Sequence, residues 1–195
     1  MSSDWKDNGE WLLAQVPVTG KTVLDIGCGD GWASVEMSIR GAQVVGTDLS
    51  SVPPVLLIEN RIPYQQIPTA NYDIGWCHHV LEHIQDPILF LQELHERIDQ
   101  LWVTVPEEIG HGFAKGHINR YNMQLLIEHL RRAGWNVERG SYIARAGNLT
   151  AVVRSDLLWG DSLSPYPASM SPLNDKGTCS HKIHLLKENW PPEVA

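Results

Sequence analysis

The feature that most constrains this chain is the segment VLDIGCGDG, in which an apolar run ends in an aspartate and closely spaced glycines follow at once. The run TVLDI has the continuous apolar character of a strand that is buried on both faces of a parallel sheet. Gly27, Gly29 and Gly31 then let the backbone approach a ligand at the carboxyl end of that strand. A helix after the loop would direct its N-terminal amides to the same place. The segment therefore predicts a ligand-binding loop in an open α/β sheet.

The glycines alone do not choose the cofactor. The dinucleotide fingerprint G-x-G-x-x-G needs its last glycine where this chain has Trp32, which weakens a nicotinamide dinucleotide interpretation. A second apolar run, AQVVGTD, ends in Asp48 about 20 residues after the loop, the distance at which a carboxylate accepts both hydroxyls of an adenosine ribose. Together the two segments predict an adenosine-containing cofactor with Asp48 at its ribose.

Four segments, in order, resemble one enzyme family. VLDIGCGDG and VVGTDLS resemble the first two motifs of the class I S-adenosylmethionine-dependent methyltransferases. YDIGWCHHVLEHIQDP is similar to the fourth-strand segment of the subgroup that includes the ubiquinone-biosynthesis methyltransferases, and GHINRYNMQLLIEHLRRAGWNVE is similar to its His-containing loop, helix and sixth strand. The resemblance covers about residues 20 to 140. It implies a Rossmann-like fold, S-adenosylmethionine as the cofactor and methyl transfer as the activity.

The resemblance also implies which residues bind the cofactor. They are Asp25, Gly27, Cys28, Gly29, Gly31, Asp48, Leu49 and His78. We expect Asp25 to shape the loop through hydrogen bonds to its amides. Cys28 is expected to be a small space-filling residue rather than a nucleophile. The backbone of His78, at the end of the fourth strand, is expected to border the cofactor.

One stretch departs from the family pattern. The family has a full helix and a third strand between its second and fourth strands, and an acidic residue after that third strand holds the adenine amino group. Here only SSVPPVLLIENRIPYQQIPTAN intervenes, and Pro63, Tyr64 and Gln65 lie near the acidic slot. We therefore expect stacking or an amide to hold adenine. The same departure leaves open a noncatalytic module that binds the cofactor or a partner.

The pattern of the whole chain predicts an α/β fold. Apolar runs alternate with segments of helical period, as in a Rossmann-like, doubly wound and mostly parallel sheet with helices on both faces. This sheet would be shortened between the second and fourth strands and would end in an antiparallel C-terminal strand, HKIHLLK. We predict one domain over residues 1–195, with a core over about 20–155, a proline-containing loop over 156–180, and a final strand and tail over 181–195.

Four helices and one further strand can be placed along this pattern. The first helix is predicted over residues 8–15, and the second runs from Trp32 to Gly41, with Trp32, Val35 and Ile39 buried. The third follows Asp86-Pro87, with Leu91, Leu94 and Ile98 on one face. The fourth runs from Asn122 to Gly134. WNVERGSYI is predicted as a strand.

Composition and charge narrow the choice of partners. A net charge of −8 works against binding to nucleic acid or anionic lipid. CHHVLEH also stands where an adenine methyltransferase would carry N-P-P-Y, and the chain has no Pro-Cys nucleophile. No apolar run approaches the roughly 18 residues of a membrane span. Three widely spaced cysteines suit a reducing compartment. We expect a cytoplasmic protein whose acceptor is a small molecule or glycan.

Histidines are the candidates for the acid–base chemistry. A hydroxyl acceptor needs a base, and histidine suits this role near pH 7. His83, after the fourth strand, and His117, in the loop before the Asn122 helix, are our candidates, although each could equally cap or pack. Glu82, His111 and Tyr121 are weaker candidates.

A histidine-rich segment also suggests a metal site at first sight. Cys77, His78, His79 and His83 are the ligand types that zinc prefers. Alternation along a strand should, however, send His78 and His79 in opposite directions. We therefore predict no bound metal.

Overall fold

The structure is a computed structural model that describes residues 4–108, 114–137, 142–145 and 147–155. These residues form one six-stranded sheet with helices. The strands are β1 (Thr22–Ile26), β2 (Gln43–Thr47), β3 (Tyr72–His78), β4 (Ile98–Pro106), β5 (Tyr142–Arg145) and β6 (Asn148–Arg154). The helices are α1 (Asp4–Leu13), α2 (Trp32–Ile39), α3 (Val55–Glu59), α4 (Pro87–His95) and α5 (Met123–Arg132), with a 3-10 turn over Leu81–His83. The predicted α/β fold is confirmed.

The sheet places the ends of three parallel strands side by side. Its strand order is β2-β1-β3-β4-β6-β5, and the first four of these strands are parallel. Ile26, at the end of β1, pairs with Thr47 of β2 and with Cys77 of β3. The loops that follow β1, β2 and β3 therefore leave the same edge, where ligands bind in open α/β sheets.

The sheet contains an antiparallel C-terminal strand, as predicted, but a different segment forms it. β6 runs antiparallel to β4 and to β5. It is formed by Asn148–Arg154, which the sequence pattern did not mark as a strand. The segment HKIHLLK, which was predicted for this role, lies outside the described residues, as do the loop over 156–180 and the tail.

Helices cover both faces of the sheet. On one face the buried core includes Leu12 of α1, Met37 of α2 and Leu57 of α3. On the other face it includes Phe90 of α4 and Leu126 of α5. Side chains alternate along a strand, so successive residues of β1 enter different cores. The doubly wound arrangement is therefore confirmed.

The predicted buried face of α2 is correct only in part. The helix buries Ala33, Ser34 and Met37, whereas Ile39 is 73% exposed. Small side chains at the start of α2 let the helix approach the sheet closely beside the glycine loop. Trp32 and Val35 are consequently only partly buried at the edge of the core, and Ile39 faces outward.

Three element boundaries also differ from the predictions. Ile98 begins β4 rather than ending α4, which stops at His95. The first helix covers Asp4–Leu13 rather than residues 8–15. In WNVERGSYI, Asn136 forms a single bridge to Arg154, and the strand itself is Tyr142–Arg145. Tertiary pairing overrides local pattern at these positions.

The predicted starts of two helices are confirmed, and a side-chain cap marks each of them. The Asp86 side chain accepts a hydrogen bond from the Leu89 amide at 3.0 Å, with Pro87 as the first helical residue. Asn122 caps α5 in the same way, since it accepts from the Leu125 amide at 2.8 Å. Local side-chain chemistry determines where α4 and α5 begin.

The shortening after β2 is confirmed. Between β2 and β3 the chain forms the five-residue helix α3 and one parallel bridge between Gly46 and Tyr64. The Gly46 amide donates to the Pro63 carbonyl at 2.9 Å, and the Gln65 amide donates to the Gly46 carbonyl at 3.0 Å. The family's third strand is thus reduced to one bridge, and β3 here corresponds to the family's fourth strand.

Candidate cofactor and acceptor site

The glycine loop is anchored to the neighbouring strand and open on its outer side. The amides of Gly27 and Cys28 donate to the Thr47 carbonyl at 2.8 and 3.0 Å. Gly27, Gly29 and Gly31 have φ values of 67°, 54° and 91°, which favour glycine. A Cβ added to Gly29 would meet no atom within 4 Å. The backbone at Gly29 can therefore contact a ligand directly.

Asp48 lies beside this loop at the end of β2. One carboxylate oxygen accepts from the Gly29 amide at 2.9 Å, and the other accepts from the Leu49 amide at 2.7 Å. Each carboxylate oxygen can accept a further hydrogen bond. The carboxylate is thus held in place and can still accept a pair of hydroxyls from a ligand.

Asp25 joins β1 to α2 beneath the loop. The side chain of this buried residue accepts from the Ser34 hydroxyl at 2.5 Å. Its partner is Ser34 on α2, whereas amides of the loop were the expected partners. Burial raises the pKa of Asp25 to about 7, the Ser34 hydrogen bond lowers it, and the negative charge of Asp48 raises it further.

Cys28 is a buried free thiol. Burial raises the pKa of this thiol, and the nearby charges of Asp25 and Asp48 raise it further. The thiol form is not the reactive nucleophile. This agrees with the interpretation of Cys28 as a small space-filling side chain.

Two cavities lie along the edge where these loops meet. The larger, of about 230 Å³, is lined by Asp25, Gly27, Cys28, Gly29, Asp30, Trp32, Ala33, Trp76, His78 and His79. The other is a narrower apolar slot of about 40 Å³ whose lining includes Asp48, Leu49, Gln66, Ile67 and Pro68. The hydrogen bond between Gly29 and Asp48 joins the two linings. An elongated ligand with a pair of hydroxyls near its middle can span both.

The segment that replaces the third strand braces the turn after Asp48. The Tyr64 hydroxyl donates to the Asp48 carbonyl at 3.0 Å and also to the Ser50 carbonyl. The side-chain amide of Gln66 donates to the Leu49 carbonyl at 2.6 Å. Gln66 lines the slot and Tyr64 does not. Gln66 directly follows Pro63, Tyr64 and Gln65, the residues predicted to lie near adenine.

His78 and His79 lie side by side, and the expectation that they point in opposite directions is wrong. Their ring centroids are 4.6 Å apart, and both residues line the larger cavity. The cause is the left-handed backbone of His79, with φ 57°, which ends the strand alternation. The His78 ring stacks on Trp76 at 5.4 Å. Burial lowers the pKa of His78 to about 3, so this ring is neutral.

His83 and His117, the two candidate bases, also lie together. Their ring centroids are 4.8 Å apart. Nδ1 of His83 is 3.0 Å from the Gly116 carbonyl, and Nδ1 of His117 is 2.7 Å from a Glu108 carboxylate oxygen. Neither His83 nor His117 lines the larger cavity or the apolar slot.

Buried Glu82 completes a cluster with this pair. Glu82, His83 and His117 each offer one ligand atom, and these atoms lie within 4.8 Å of one another. The trio could therefore hold a metal ion, unlike the set around Cys77, whose side chain is buried in the core. The absence of a metal stays a prediction. His111, a weaker candidate base, lies outside the described residues.

The fold and loop define a methyltransferase domain, and comparison with known proteins agrees. The family model of the methyltransferase domain matches residues 1–139. The chain therefore belongs to this family, as the resemblance predicted. Among its described residues, no helix is both long and apolar enough to cross a membrane.

Similar proteins include two enzymes of ubiquinone biosynthesis. The chain is 30% identical over 102 residues to the ubiquinone biosynthesis O-methyltransferase of Pseudomonas paraeruginosa, an alignment that covers 45% of this chain and 44% of the relative. It is 37% identical over 93 residues to the enzyme of that name from Albidiferax ferrireducens, covering 40% of this chain and 37% of the relative. The aligned part thus spans less than half the length of these relatives.

The fold is shared with solved structures. One is the Burkholderia thailandensis 1,6-didemethyltoxoflavin-N1-methyltransferase with bound 1,6-didemethyltoxoflavin and S-adenosylhomocysteine. The TM-score is 0.62 at 21% identity, and the match covers 78% of each chain. At this identity the comparison supports the fold.

Sequence reasoning missed several residues of the site. Ser34, Trp76 and Gln66 were not singled out, although each contacts or lines a cavity residue. His79 was considered only as a metal ligand. The spacing of His79 and Glu82, three residues apart just after a strand, was the signal that could have indicated a hydrogen-bonded pair.

The raised pKa of Asp25 predicts a pH-dependent stability. Between pH 3.8 and about 7 the Asp25 carboxyl keeps its proton in the folded protein but has released it in the unfolded chain. The contribution of this proton to the unfolding free energy is therefore complete below pH 3.8 and is lost as pH rises through about 7. We expect the unfolding free energy of wild type to fall by about 2 kcal/mol more than that of Asp25→Asn between about pH 5 and about pH 7. Urea unfolding of both proteins measures this difference.

The control for this prediction is Asp30→Asn, which alters an exposed aspartate in the same loop. This variant should follow the wild-type pH dependence. If the Asp25→Asn and wild-type curves run parallel instead, Asp25 titrates at an ordinary pH in the folded protein.

Proposed function

We propose that this protein binds S-adenosylmethionine and transfers its methyl group to an oxygen or nitrogen atom of a small molecule or sugar. The observation that carries this proposal is the hydrogen bond between Gly29 and Asp48, which sets a ribose-type carboxylate beside an open glycine loop. When bound, the cofactor supplies an electrophilic methyl group on a sulfonium. Membership of the methyltransferase-domain family supports the same class of reaction.

The residues of the site fit the parts of this cofactor. The N-terminus of α2 suits the carboxylate of the methionine moiety. The amides of Gly27 and Gly29 already donate to Thr47 and Asp48, so they fix the shape of the loop. The Asp48 carboxylate suits the two ribose hydroxyls. His78 lines the same cavity, and its backbone would border the cofactor there. Asp25, Cys28 and Gly31 would shape the loop.

Adenine would occupy the apolar slot beside Leu49. Ile67 and Pro68 offer apolar surface for stacking there, and Gln66 offers an amide where the family pattern has an acidic residue. A slot of about 40 Å³ is smaller than a purine, so adenine enters only if the slot walls separate. That stacking or an amide replaces the carboxylate stays a prediction.

The acceptor class is supported by charge and by similar proteins. The net charge of −8 disfavours nucleic acid as a substrate. One relative is named an O-methyltransferase, and the toxoflavin enzyme is an N1-methyltransferase with a bound small molecule. A cytoplasmic location is part of this proposal, supported by the free thiols of Cys28 and Cys77.

A hydroxyl acceptor must lose a proton, and His83 and His117 are the bases that the sequence favours. The Nδ1 atoms of these two residues already contact backbone or carboxylate oxygens. If those nitrogens carry the hydrogen, each ring keeps Nε2 as a proton acceptor. Together with Glu82 they form a compact polar cluster behind the end of β3.

Calorimetric titration tests the proposed function. We expect S-adenosylmethionine and S-adenosylhomocysteine to bind with a Kd below about 100 μM, with NAD as the control ligand that does not bind. If neither adenosyl compound binds at high micromolar concentration, the proposed function is wrong. Binding without release of S-adenosylhomocysteine across a broad acceptor screen would instead indicate a noncatalytic module.

A further inference from the structure

His79 stands where the glycine loop meets the end of β3. Its left-handed φ of 57° is unusual for a residue other than glycine, and such backbone clusters at functional sites. The His79 amide donates to the Thr104 carbonyl at 2.9 Å, which anchors the turn. The turn brings His79 into the lining of the larger cavity, together with Asp25 and Gly29.

Glu82 forms a hydrogen bond with the His79 ring. One oxygen of this fully buried carboxylate lies 3.0 Å from Nδ1 of His79. If Glu82 is ionised, its carboxylate only accepts hydrogen bonds, so Nδ1 of His79 carries the hydrogen and Nε2 keeps its lone pair. Nε2 is buried and has no hydrogen-bond partner among the residues that the structure describes. In that tautomer His79, a residue of the cavity lining, holds a proton-accepting atom that has no hydrogen-bond partner among the described residues.

We propose that His79, oriented by Glu82, takes the proton of the acceptor during methyl transfer, an inference that rests on the proposed function. The acceptor oxygen or nitrogen forms its bond to the methyl carbon while the carbon–sulfur bond breaks and leaves its electron pair on sulfur. The acceptor proton moves to Nε2 of His79. The imidazolium that results is stabilised by the adjacent Glu82 carboxylate, and it later releases the proton to solvent.

Position separates His79 from the two bases that the sequence favours. His83 and His117 face each other and bond to the Gly116 carbonyl and to Glu108. His79 shares its cavity with the glycine loop, where the methionine moiety would lie. The base that first meets the acceptor is therefore His79, and His83 and His117 form the outer part of a cluster centred on Glu82.

Sinefungin provides a test that needs no acceptor. This analogue carries an amine where S-adenosylmethionine carries its methyl group, so its ammonium would donate to Nε2 of His79. We expect wild type to bind sinefungin about tenfold more tightly than S-adenosylhomocysteine at about pH 8. His79→Asn should keep its affinity for S-adenosylhomocysteine and lose this preference, because asparagine tolerates the left-handed backbone. Glu82→Gln, nearly isosteric, should reduce the preference about threefold.

The control variants separate the possible outcomes. His95→Ala removes a ring that packs on Trp135 and should leave the preference unchanged. A full preference in His79→Asn overturns the inference, and so does a preference lost in His83→Ala or His117→Ala but kept in His79→Asn. Failure of wild type to bind S-adenosylhomocysteine contradicts the proposed function instead.

A second measurement covers the case in which His79→Asn does not fold. Nitrogen-15 NMR of histidine-labelled wild type reports which ring nitrogen of His79 carries the hydrogen. We expect a protonated Nδ1 and an unprotonated Nε2 at about pH 8. The opposite tautomer would overturn the inference.

Discussion

Asp48→Ala is expected to abolish binding of S-adenosylmethionine while the protein stays folded. The carboxylate would make two charge-assisted hydrogen bonds to the ribose, and their loss should weaken binding at least about 100-fold. In the protein itself the Asp48 side chain accepts hydrogen bonds from the amides of Gly29 and Leu49. Their loss should cost about 1–2 kcal/mol of unfolding free energy. Calorimetry and urea unfolding measure the two effects separately.

Asp30→Ala is the matched control for Asp48→Ala. Asp30 is an exposed aspartate of the same loop, and its carboxylate accepts from the Trp32 amide at 3.1 Å. We expect this variant to bind the cofactor within about threefold of wild type. Equal affinities in Asp48→Ala and wild type would contradict the ribose assignment. A similar loss in both variants would point to the general negative charge of the loop.

The sequence predicted those parts of the site that depend on local chemistry. The glycine spacing, the strand-end aspartates and the helix caps act over a few residues, so their patterns survive in the sequence. Asp48 beside the glycine loop follows from two parallel neighbours that end at the same edge. Asp86 and Asn122 cap their helices for the same local reason.

Packing and backbone conformation explain what the sequence could not predict. The buried face of α2 depends on which side of the helix meets the sheet, and its small residues Ala33 and Ser34 were outweighed by the larger Ile39 in the periodic pattern. The juxtaposition of His78 and His79 depends on one φ angle. Gln66 reaches the slot because the third strand is reduced to a bridge, which is a property of the tertiary pairing.

Gly31→Ala should be the most destabilising single-methyl change in the loop. Gly31 has φ 91°, and an added Cβ would lie 2.1 Å from Cδ1 of Leu57, a side chain that is fully buried. The left-handed backbone and the forced repacking together should lower the unfolding free energy by about 3 kcal/mol. Urea unfolding at neutral pH measures this loss.

Gly29→Ala separates the two causes of that destabilisation. Gly29 also has a positive φ, of 54°, but a Cβ there meets no atom within 4 Å, so only the backbone cost of about 1 kcal/mol is expected. Combining Gly31→Ala with Leu57→Ala should be less destabilising than the sum of the two changes by about 1 kcal/mol, because the cavity at residue 57 accepts the new methyl group. If the changes in unfolding free energy for Gly31→Ala and Leu57→Ala are strictly additive, the added methyl group does not clash with Leu57. Equal losses of unfolding free energy in Gly29→Ala and Gly31→Ala would lead to the same conclusion. The contact matters for function because α3, which carries Leu57, would then support the backbone that meets the cofactor.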